Sequence, residues 1–437
     1  MRAPSSYGHG ETEKFAISGF LAGLSREQPY CPAPVLQRTA IPSSSPVDYL
    51  AVLNLFLLLF LGLADNQMLA ALLPRLVRAF HVSIEVAGLL VVVYSAAAAL
   101  AGLTTGVLSD HYGRQRFLLG GAAAFAAASW AASATHTYGE LMLARAVTGA
   151  AAGTISTCSI AYAGDYFDYA VRGKAIGFIS VAYFAAPIIG VPAGAEIAYR
   201  FGWRSTFLFF AALAFVVACS SLGLKSDRMA ARQISQKFRR STAVFRSFLR
   251  RGDLLAGISI AFLVSGGLVG FMTYIGEWLS TRFGLTTRGI GWIFMLAGAV
   301  AVAGSPLGGM LSDRLGKRSI AIAGCVLMAG AVAAMPLCPW GFLLLVIFGL
   351  TSLGAALRQG PLTALMTELI PDTQRGSFMA ARSVSSQAGI GATVFVGGML
   401  YQRYGYMAVT ALCALMTAIV VFLLASYITE PDRISPL

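Results

Sequence analysis

Twelve apolar runs follow one another along this chain, each roughly 20 residues long or longer, and they constrain its fold more than any other feature. An α-helix of about 20 apolar residues is what crosses the hydrocarbon core of a bilayer. Apolar residues make up 57% of the sequence and charged residues only 12%, about half the share usual in soluble domains. We therefore predict an all-α membrane protein with twelve transmembrane helices.

The predicted spans form two groups of six, and each group makes one half of the protein. The N-terminal half covers 49–224, with spans at 49–73, 86–109, 116–135, 139–164, 174–198 and 204–224. The C-terminal half covers 254–428, with spans at 254–279, 289–311, 319–337, 340–367, 376–400 and 404–428. The other segments are expected to be a disordered cytoplasmic tail over 1–48, a basic cytoplasmic linker over 225–253 and a short tail over 429–437.

The two halves repeat each other at a constant offset of 203 residues. The stretch from Gly106 to Arg114 (Gly-Val-Leu-Ser-Asp-His-Tyr-Gly-Arg) falls on Gly309 to Lys317 (Gly-Met-Leu-Ser-Asp-Arg-Leu-Gly-Lys) without a gap. Because each half holds six spans, both halves insert with the same polarity. Parallel repeats of this kind are related by an axis along the membrane normal, and the solute site lies near the midplane between them.

Basic residues are concentrated on one side of the predicted membrane. With residue 48 in the cytoplasm, the cytoplasmic loops carry 17 Lys and Arg and the opposite loops carry 7. The positive-inside rule then predicts a multi-pass inner (plasma) membrane protein with both termini cytoplasmic. The same rule accounts for the net charge of +13, so we expect the lipid bilayer and not nucleic acid as the partner of this chain.

The reactive residue types argue against several classes of protein. The six cysteines form no Cys-x-x-Cys pair, and no histidine lies inside an apolar run. The loops contain no nucleotide-binding loop, metal-ligand set or nucleophile motif. We expect neither an enzyme nor a metal or cofactor site.

The Gly106–Arg114 motif lies in the loop after span 2, and its second copy lies in the loop after span 8. This motif resembles the signature of the major facilitator superfamily. Over 49–428, the resemblance implies the major facilitator fold and a secondary transporter that works by alternating access. Span 4 carries Arg145, Gly149 and Gly153 at four-residue spacing, which is similar to the drug–proton antiporter branch of that family.

Span 5 carries a second pattern of that branch, in which glycines and prolines interrupt an apolar run. The pattern consists of Pro187, Gly190, Pro192 and Gly194. The branch usually has glycine where Ala186 and Val191 stand, and this departure leaves import open as an alternative to export. The glycines of span 4 predict a close helix contact, whereas those of span 5 either pack closely or let the helix bend.

Asp65 is the strongest candidate for proton coupling, because it lies well inside span 1. A carboxylate at mid-helix costs roughly 2.5–3.5 kcal/mol to insert, so it needs a partner or a water-filled cavity. Arg145 of span 4 lies at a similar depth, and the family architecture places spans 1 and 4 side by side. Two interpretations stay open: a proton-coupling pair that separates when Asp65 is protonated, and a static salt bridge between two helices.

The repeated motif supplies the candidate gates. In the family, its aspartate complements the N-terminus of span 11, here near Gly376, and its arginine pairs with an acid at the inner end of span 4. We expect the second gate to be weaker, because a lysine replaces the bidentate arginine there. The first gate comprises Asp110, Gly113, Arg114, Asp165 and Arg172, and the second comprises Asp313, Gly316, Lys317, Glu368 and Arg375.

Arg358 in span 10 and Arg382 in span 11 break the repeat, since Ile155 and Ile179 stand at the matching positions. Intramembrane arginines usually face the protein interior or water. These two form either a cationic patch for an anionic substrate or pairs with nearby gate acids and carbonyls. Asn66 of span 1 is a further candidate for substrate binding.

We expect a monomer that moves protons and a small-molecule substrate, with the proton gradient as its energy source. Export of a small organic compound or drug is the leading direction, and a proton symporter that imports an organic anion is the alternative. A membrane sensor that kept the fold and lost transport is the alternative from another class. No residue pattern names the substrate, because the cavity side chains decide it and not the fold.

Overall fold

A computed structural model describes residues 48–224, 251–370, 372–428 and 430, apart from the side chains of 107, 169–170 and 372–377. The described ranges contain twelve helical spans, as the sequence predicted, so the fold class is confirmed. The regular spans of the N-terminal half are α1 (Tyr49–Phe80), α2 (Ile84–Tyr112), α3 (Arg114–Ala134), α4 (Tyr138–Tyr166) and α6 (Trp203–Ser221). Those of the C-terminal half are α7 (Gly252–Phe283), α8 (Thr287–Leu315), α9 (Lys317–Ala334, continued by the 3₁₀ turn Met335–Leu337), α10 (Phe342–Glu368), α11 (Asp372–Tyr404) and α12 (Tyr406–Tyr427). Of the tail expected over 1–48, residues 1–47 lie outside the described residues, as do most of the expected linker and C-terminal tail.

Helix α5 is irregular and runs from Tyr169 to Phe201. Its segments are Tyr169–Ser180, Ala182–Ala185, the π-helical turn Ala186–Gly190 and Val191–Phe201. Pro187 and Pro192 lack the backbone N–H that a regular α-helix requires, so its hydrogen-bond ladder is interrupted here. Gly190 also packs so closely on Ala64 of α1 that a Cβ would collide with it. The glycines and prolines of span 5 therefore serve both packing and a local change of helix type.

Several helices extend beyond the predicted apolar runs. Helix α1 continues through Pro74 to Phe80, although span 1 was predicted to end at residue 73. Arg75 and Arg78 end the apolar run but not the helix, since charged residues are compatible with helical backbone at the membrane surface. The helix ends at His81, which has a left-handed φ of 52°.

By length and composition, ten of the twelve described spans are apolar enough to cross a membrane. The two that fall short are α4 and α11, which carry Arg145 and Arg382 inside the bundle. Glycine explains how α4 packs in the N-terminal half: a Cβ at Gly149 would collide with the backbone of Tyr94 on α2. Arg145, Thr148 and Ser159 of α4 are buried against neighbouring helices.

The two ends of the bundle are distinguished by the repeated motif. We call the end where α2 meets α3 the motif end, and the opposite end the distal end. The halves meet through α1 and α7, α2 and α11, and α5 and α8. One such contact is very close: a Cβ at Gly276 of α7 would collide with the carbonyl of Ala70 on α1.

Candidate functional site

A fully buried ion pair lies inside the N-terminal half. Nη1 of Arg145, on α4, donates to Oδ2 of Asp65, which lies midway along α1. Both side chains have 0% exposure. Removing two charges from water costs several kcal/mol each, and their attraction offsets this cost only while they remain together. The structure thus brings together the two side chains that the sequence proposed for proton coupling.

Tyr94 of α2 belongs to the same site, and sequence reasoning missed it. The Arg145 guanidinium lies over its ring at 4.5 Å from the centroid. Its hydroxyl donates to the carbonyl of Gly62 on α1 at 2.9 Å, one turn from Asp65. Gly149 permits this arrangement, because it lets α4 approach the backbone of Tyr94. The only signal in the sequence was a tyrosine in the middle of an apolar run.

Several buried polar atoms of this site have no hydrogen-bond partner within the described part of the chain. They are Asp65 Oδ1, Asn66 Oδ1, Arg145 Nε and Arg145 Nη2. Buried polar groups are normally bonded to protein or to ordered water. Asp65 Oδ1 can therefore accept a proton without breaking an existing hydrogen bond.

Arg358 and Arg382 form no ion pair with any residue described here. Arg358 is 1% exposed, with Nη2 at 3.5 Å from the Val264 carbonyl and Nη1 at 3.9 Å from the Cys325 sulfur. Arg382 is partly buried, and its Nη1 lies 3.5 Å from the sulfur of Met379. These guanidinium groups therefore lie beside a carbonyl and two sulfurs, and among the described residues they form no ion pair with the gate acids.

The first gate joins the motif ends of α2, α3 and α4. Arg114 Nη2 lies 2.9 Å from Asp110 Oδ1 and 2.9 Å from Asp165 Oδ2. Gly113 has a φ of 91°, a conformation that favours glycine and turns the chain sharply from α2 into α3. Arg172 lies apart from this pair and donates its Nε hydrogen to a backbone carbonyl between α4 and α5 at 3.2 Å.

The second gate repeats the backbone of the first but has fewer ion pairs among the residues that the structure describes. Lys317 pairs with Glu368, and Gly316 has a φ of 99°. Asp313 is exposed and forms no ion pair among the described residues. The carboxylate of Glu430 instead accepts a hydrogen bond from the backbone N–H of Lys317 at 2.9 Å.

The expected contact between Asp110 and the start of span 11 involves side chains that the structure does not describe. Helix α11 begins at Asp372, four residues before the predicted start at Gly376. The side chain of Arg375 belongs to the same undescribed set. Its role in the second gate stays a prediction.

A charged cluster joins the two halves at the distal end, and sequence reasoning gave it no role. Arg75 of α1 donates from Nε to Thr287 Oγ1 of α8 at 2.7 Å and from Nη1 to the carbonyl of Ala198 at 2.6 Å. Arg288 of α8 pairs with Glu196 of α5 at 3.0 Å. These bonds hold the halves together at the distal end in this structure.

Comparison with known proteins gives the family. The model of the Major Facilitator Superfamily matches the chain over residues 55–341 and 259–436. The chain belongs to the major facilitator superfamily. The resemblance that the Gly106–Arg114 motif carried is thereby confirmed.

Similar proteins include further transporters of the superfamily. The uncharacterized MFS-type transporter YwfA of Bacillus subtilis is 28% identical over 393 residues, which span 88% of this chain and 93% of that protein. Multidrug resistance protein 2 of Bacillus subtilis is 24% identical over 246 residues, or 55% of this chain and 60% of that protein.

Solved structures of the superfamily share the fold. A crystal structure of a D-xylose–proton symporter aligns with a TM-score of 0.76 at 17% identity and covers 87% of this chain and 98% of that one. A bacterial homolog of the human lysosomal transporter Spinster, in an inward-facing and occupied conformation, aligns with a TM-score of 0.74 at 16% identity, over 88% and 97% of the two chains. The family and its relatives make this chain a multi-pass membrane transporter.

Proposed function

We propose that this superfamily member exports a small organic compound in exchange for protons, by alternating access between its two halves. The observation that carries the proposal is the buried Asp65–Arg145 pair. An ionised acid at this depth is unfavourable in free energy, so it is usually paired or has a role in transport. Intramembrane carboxylates commonly take part in proton relays. An ion pair in which both partners keep polar atoms without hydrogen bonds can separate and re-form more easily than a fully hydrogen-bonded salt bridge.

In the proposed cycle, a proton binds to Asp65 Oδ1, the carboxylate oxygen without a hydrogen-bond partner. The neutral acid no longer attracts Arg145, so the two side chains can separate. Loss of the proton restores the carboxylate and the ion pair. Because the two helices belong to the same half, the change of contact alters the shape of that half and its fit against α7 and α11.

The contacts at the distal end indicate which conformational state of this cycle the structure represents. The bonds from Arg75 to Thr287 and from Arg288 to Glu196 join the halves at that end. The two gates, in contrast, hold helices within one half at the motif end. With the motif end in the cytoplasm, as the Lys and Arg distribution favours, this arrangement corresponds to a transporter closed toward the outside.

The test begins with a screen for ligands of the purified protein by thermal shift, using lipophilic cations, neutral drugs and organic anions as probes. Hits are then assayed for proton flux in proteoliposomes. We expect Asp65→Asn to abolish uphill transport of a hit and to leave energy-independent exchange in place. The matched control is Asp253→Asn, at the exposed start of α7, which should transport like the wild type.

Two outcomes would contradict the proposal. Uphill transport retained by Asp65→Asn would mean that the pair is a static salt bridge. Hits that bind but never move protons or themselves across the membrane would favour the sensor over the transporter.

An organic anion is the second candidate substrate, moved by a proton symporter. It is favoured by Arg358 and Arg382, whose charges have no acidic partner among the described residues. An anionic group of a solute would offset the cost of these buried cations. We expect an Arg358→Gln/Arg382→Gln double variant to lose transport of anionic hits and to keep that of cationic ones. Equal transport of anions by the double variant would remove this candidate.

A further inference from the structure

We propose that Tyr94 is a positioning residue for the Asp65–Arg145 pair: its ring holds the guanidinium toward the carboxylate and so sets the pH at which Asp65 takes up its proton. This inference rests on the proposed proton coupling and adds a third member to that site. Tyr94 is 3% exposed and lies on α2, a different helix from either charged partner.

Arg145 contacts both Asp65 and the Tyr94 ring. Its guanidinium bonds to Asp65 through Nη1 and lies 4.5 Å from the centre of the Tyr94 ring. Its Nε and Nη2 have no partner among the residues described. Among the polar and ring contacts of the described residues, the ring and Asp65 are therefore those that orient this long side chain. A cation–π contact is stronger when it is removed from water, as it is here.

The Tyr94 ring is itself held in place by two neighbouring helices. Its hydroxyl donates to the Gly62 carbonyl of α1 at 2.9 Å, and its backbone lies against Gly149 of α4 without room for a Cβ. Tyr94 is thus attached to both helices that carry the charged pair. When Asp65 is protonated and Arg145 moves, the ring stays with the frame and defines the position to which the guanidinium returns.

The same segment of α2 also touches the other half. A Cβ at Gly88, two turns before Tyr94, would collide with the Tyr274 hydroxyl of α7, and Gly391 of α11 lies beside Val92. A change in how the halves meet therefore reaches the helix that carries the ring. The proton affinity of Asp65 would in this way depend on which end of the transporter is closed.

Other ionisable side chains on the helices around α1 make no recorded hydrogen bond or ion pair with Asp65. Apart from Arg145 and Tyr94, the ionisable residues on the helices that pack against α1 include Tyr183 on α5, Cys219 on α6, Tyr274 and Glu277 on α7, and Arg288 on α8. Arg288 is paired with Glu196. The contacts of the pair with Tyr94 are therefore the ones that a variant has to change.

The experiment follows the C=O stretch of protonated Asp65 by infrared difference spectroscopy, in a pH titration of the full-length protein in lipid nanodiscs. The band that disappears in Asp65→Asn belongs to Asp65, so no substrate is needed. We expect Tyr94→Leu to move the midpoint about one pH unit upward, a tenfold change, because a loosely held guanidinium stabilises the carboxylate less. Tyr94→Phe keeps the ring and should stay within about 0.3 unit of the wild type.

A matched control is Tyr406→Phe, which also removes a buried hydroxyl bonded to a backbone carbonyl (Phe271, 3.2 Å), in a ring stacked on Trp278 and not on an arginine. It should leave the Asp65 midpoint in place. If Tyr94→Leu does not fold, fluorinated phenylalanines at position 94 keep the shape of the ring and weaken its attraction for a cation. The midpoint should then rise stepwise with the number of fluorines.

The outcomes separate this inference from the proposal on which it rests. A band of Asp65 that titrates identically in the wild type, in Tyr94→Leu and in the fluorinated series overturns the role of Tyr94 and leaves proton coupling intact. The absence of any titrating Asp65 band over the pH range in which the protein is stable overturns both.

Discussion

The two halves share one arrangement of helices but carry different side chains at three equivalent positions. The N-terminal half buries Asp65, Tyr94 and Arg145, and the residues that follow them by 203 positions are Leu268, Ala297 and Phe348. Phe348 is 2% exposed and packs against Phe271 and Phe294. A half of this shape is therefore stable with an apolar cluster. The polar trio of the other half is therefore not needed to build the frame.

The two halves also differ in which helix carries the glycines that let the second and fourth helices approach each other. In the N-terminal half the glycines that allow close contact are on α4, where Gly149 and Gly153 lie against the backbone of α2. In the C-terminal half they are on α8, where Gly304 and Gly308 lie against Leu353 and Leu357 of α10. The frame requires a short distance between the second and fourth helices of each half, and either helix can supply the glycine.

The largest expected effect comes from copying the apolar cluster into the N-terminal half. Asp65→Leu leaves a buried guanidinium without its partner and should cost about 3–5 kcal/mol. The double variant Asp65→Leu/Arg145→Phe should recover most of this loss, because it replaces both charges by apolar groups. Thermal unfolding in detergent measures the difference. A double variant as unstable as the single one would mean that the two halves are not interchangeable at this place.

The second prediction concerns the glycines. Gly149→Leu and Gly308→Leu should each cost about 1–3 kcal/mol or more, because backbone atoms of the facing helix leave no room for a side chain. Gly120→Leu on α3 and Gly330→Leu on α9 are the controls, since nothing lies within 4 Å of a Cβ at either position. Similar melting temperatures in all four variants would contradict the close packing of the second and fourth helices.

The third prediction compares the same substitution in the two halves. Arg145→Met should destabilise the protein, because it leaves Asp65 buried and unpaired. Arg358→Met should raise the stability by about 1 kcal/mol, because it removes a buried charge whose recorded neighbours are a distant carbonyl and a thiol. Both are read from unfolding temperatures without ligand. Strong destabilisation by Arg358→Met would reveal an acidic or structural partner and weaken the anion hypothesis.

The smallest effects are expected at the gates, where the ion pairs are partly exposed. Arg114 is 16% exposed and contacts two acids, whereas Lys317 is 30% exposed and contacts one. Arg114→Lys should therefore cost no more than about 1 kcal/mol and Lys317→Arg should change stability by a few tenths, both less at high salt. Unfolding temperatures at low and high ionic strength measure these differences. A larger loss at Lys317 than at Arg114 would reverse the expected ranking of the gates.

Much of the site could be anticipated because mid-span charges are rare and expensive. Asp65 and Arg145 stood out for that reason, and the structure places them in contact. Tyr94 did not stand out, because a tyrosine can be buried through its ring alone and its partners are distant in the chain. The distal bond between Arg75 and Thr287 was missed for a related reason: charges just beyond an apolar run are common at membrane surfaces.

The number of spans, their division into two parallel halves and the duplicated motif could be predicted from the amino-acid sequence, because hydrophobic length and repeat spacing are properties of the chain alone. Which of the duplicated residues form the same contacts depends on how the helices pack. Asp110 and Asp313 occupy equivalent positions, yet Asp110 pairs with its arginine and Asp313 is exposed without an ion pair in the described part of the chain. The reason is physical: an ion pair depends on distances of a few ångströms between side chains on different helices, and these distances are set by packing, where a glycine, a tyrosine ring or a proline can decide the outcome.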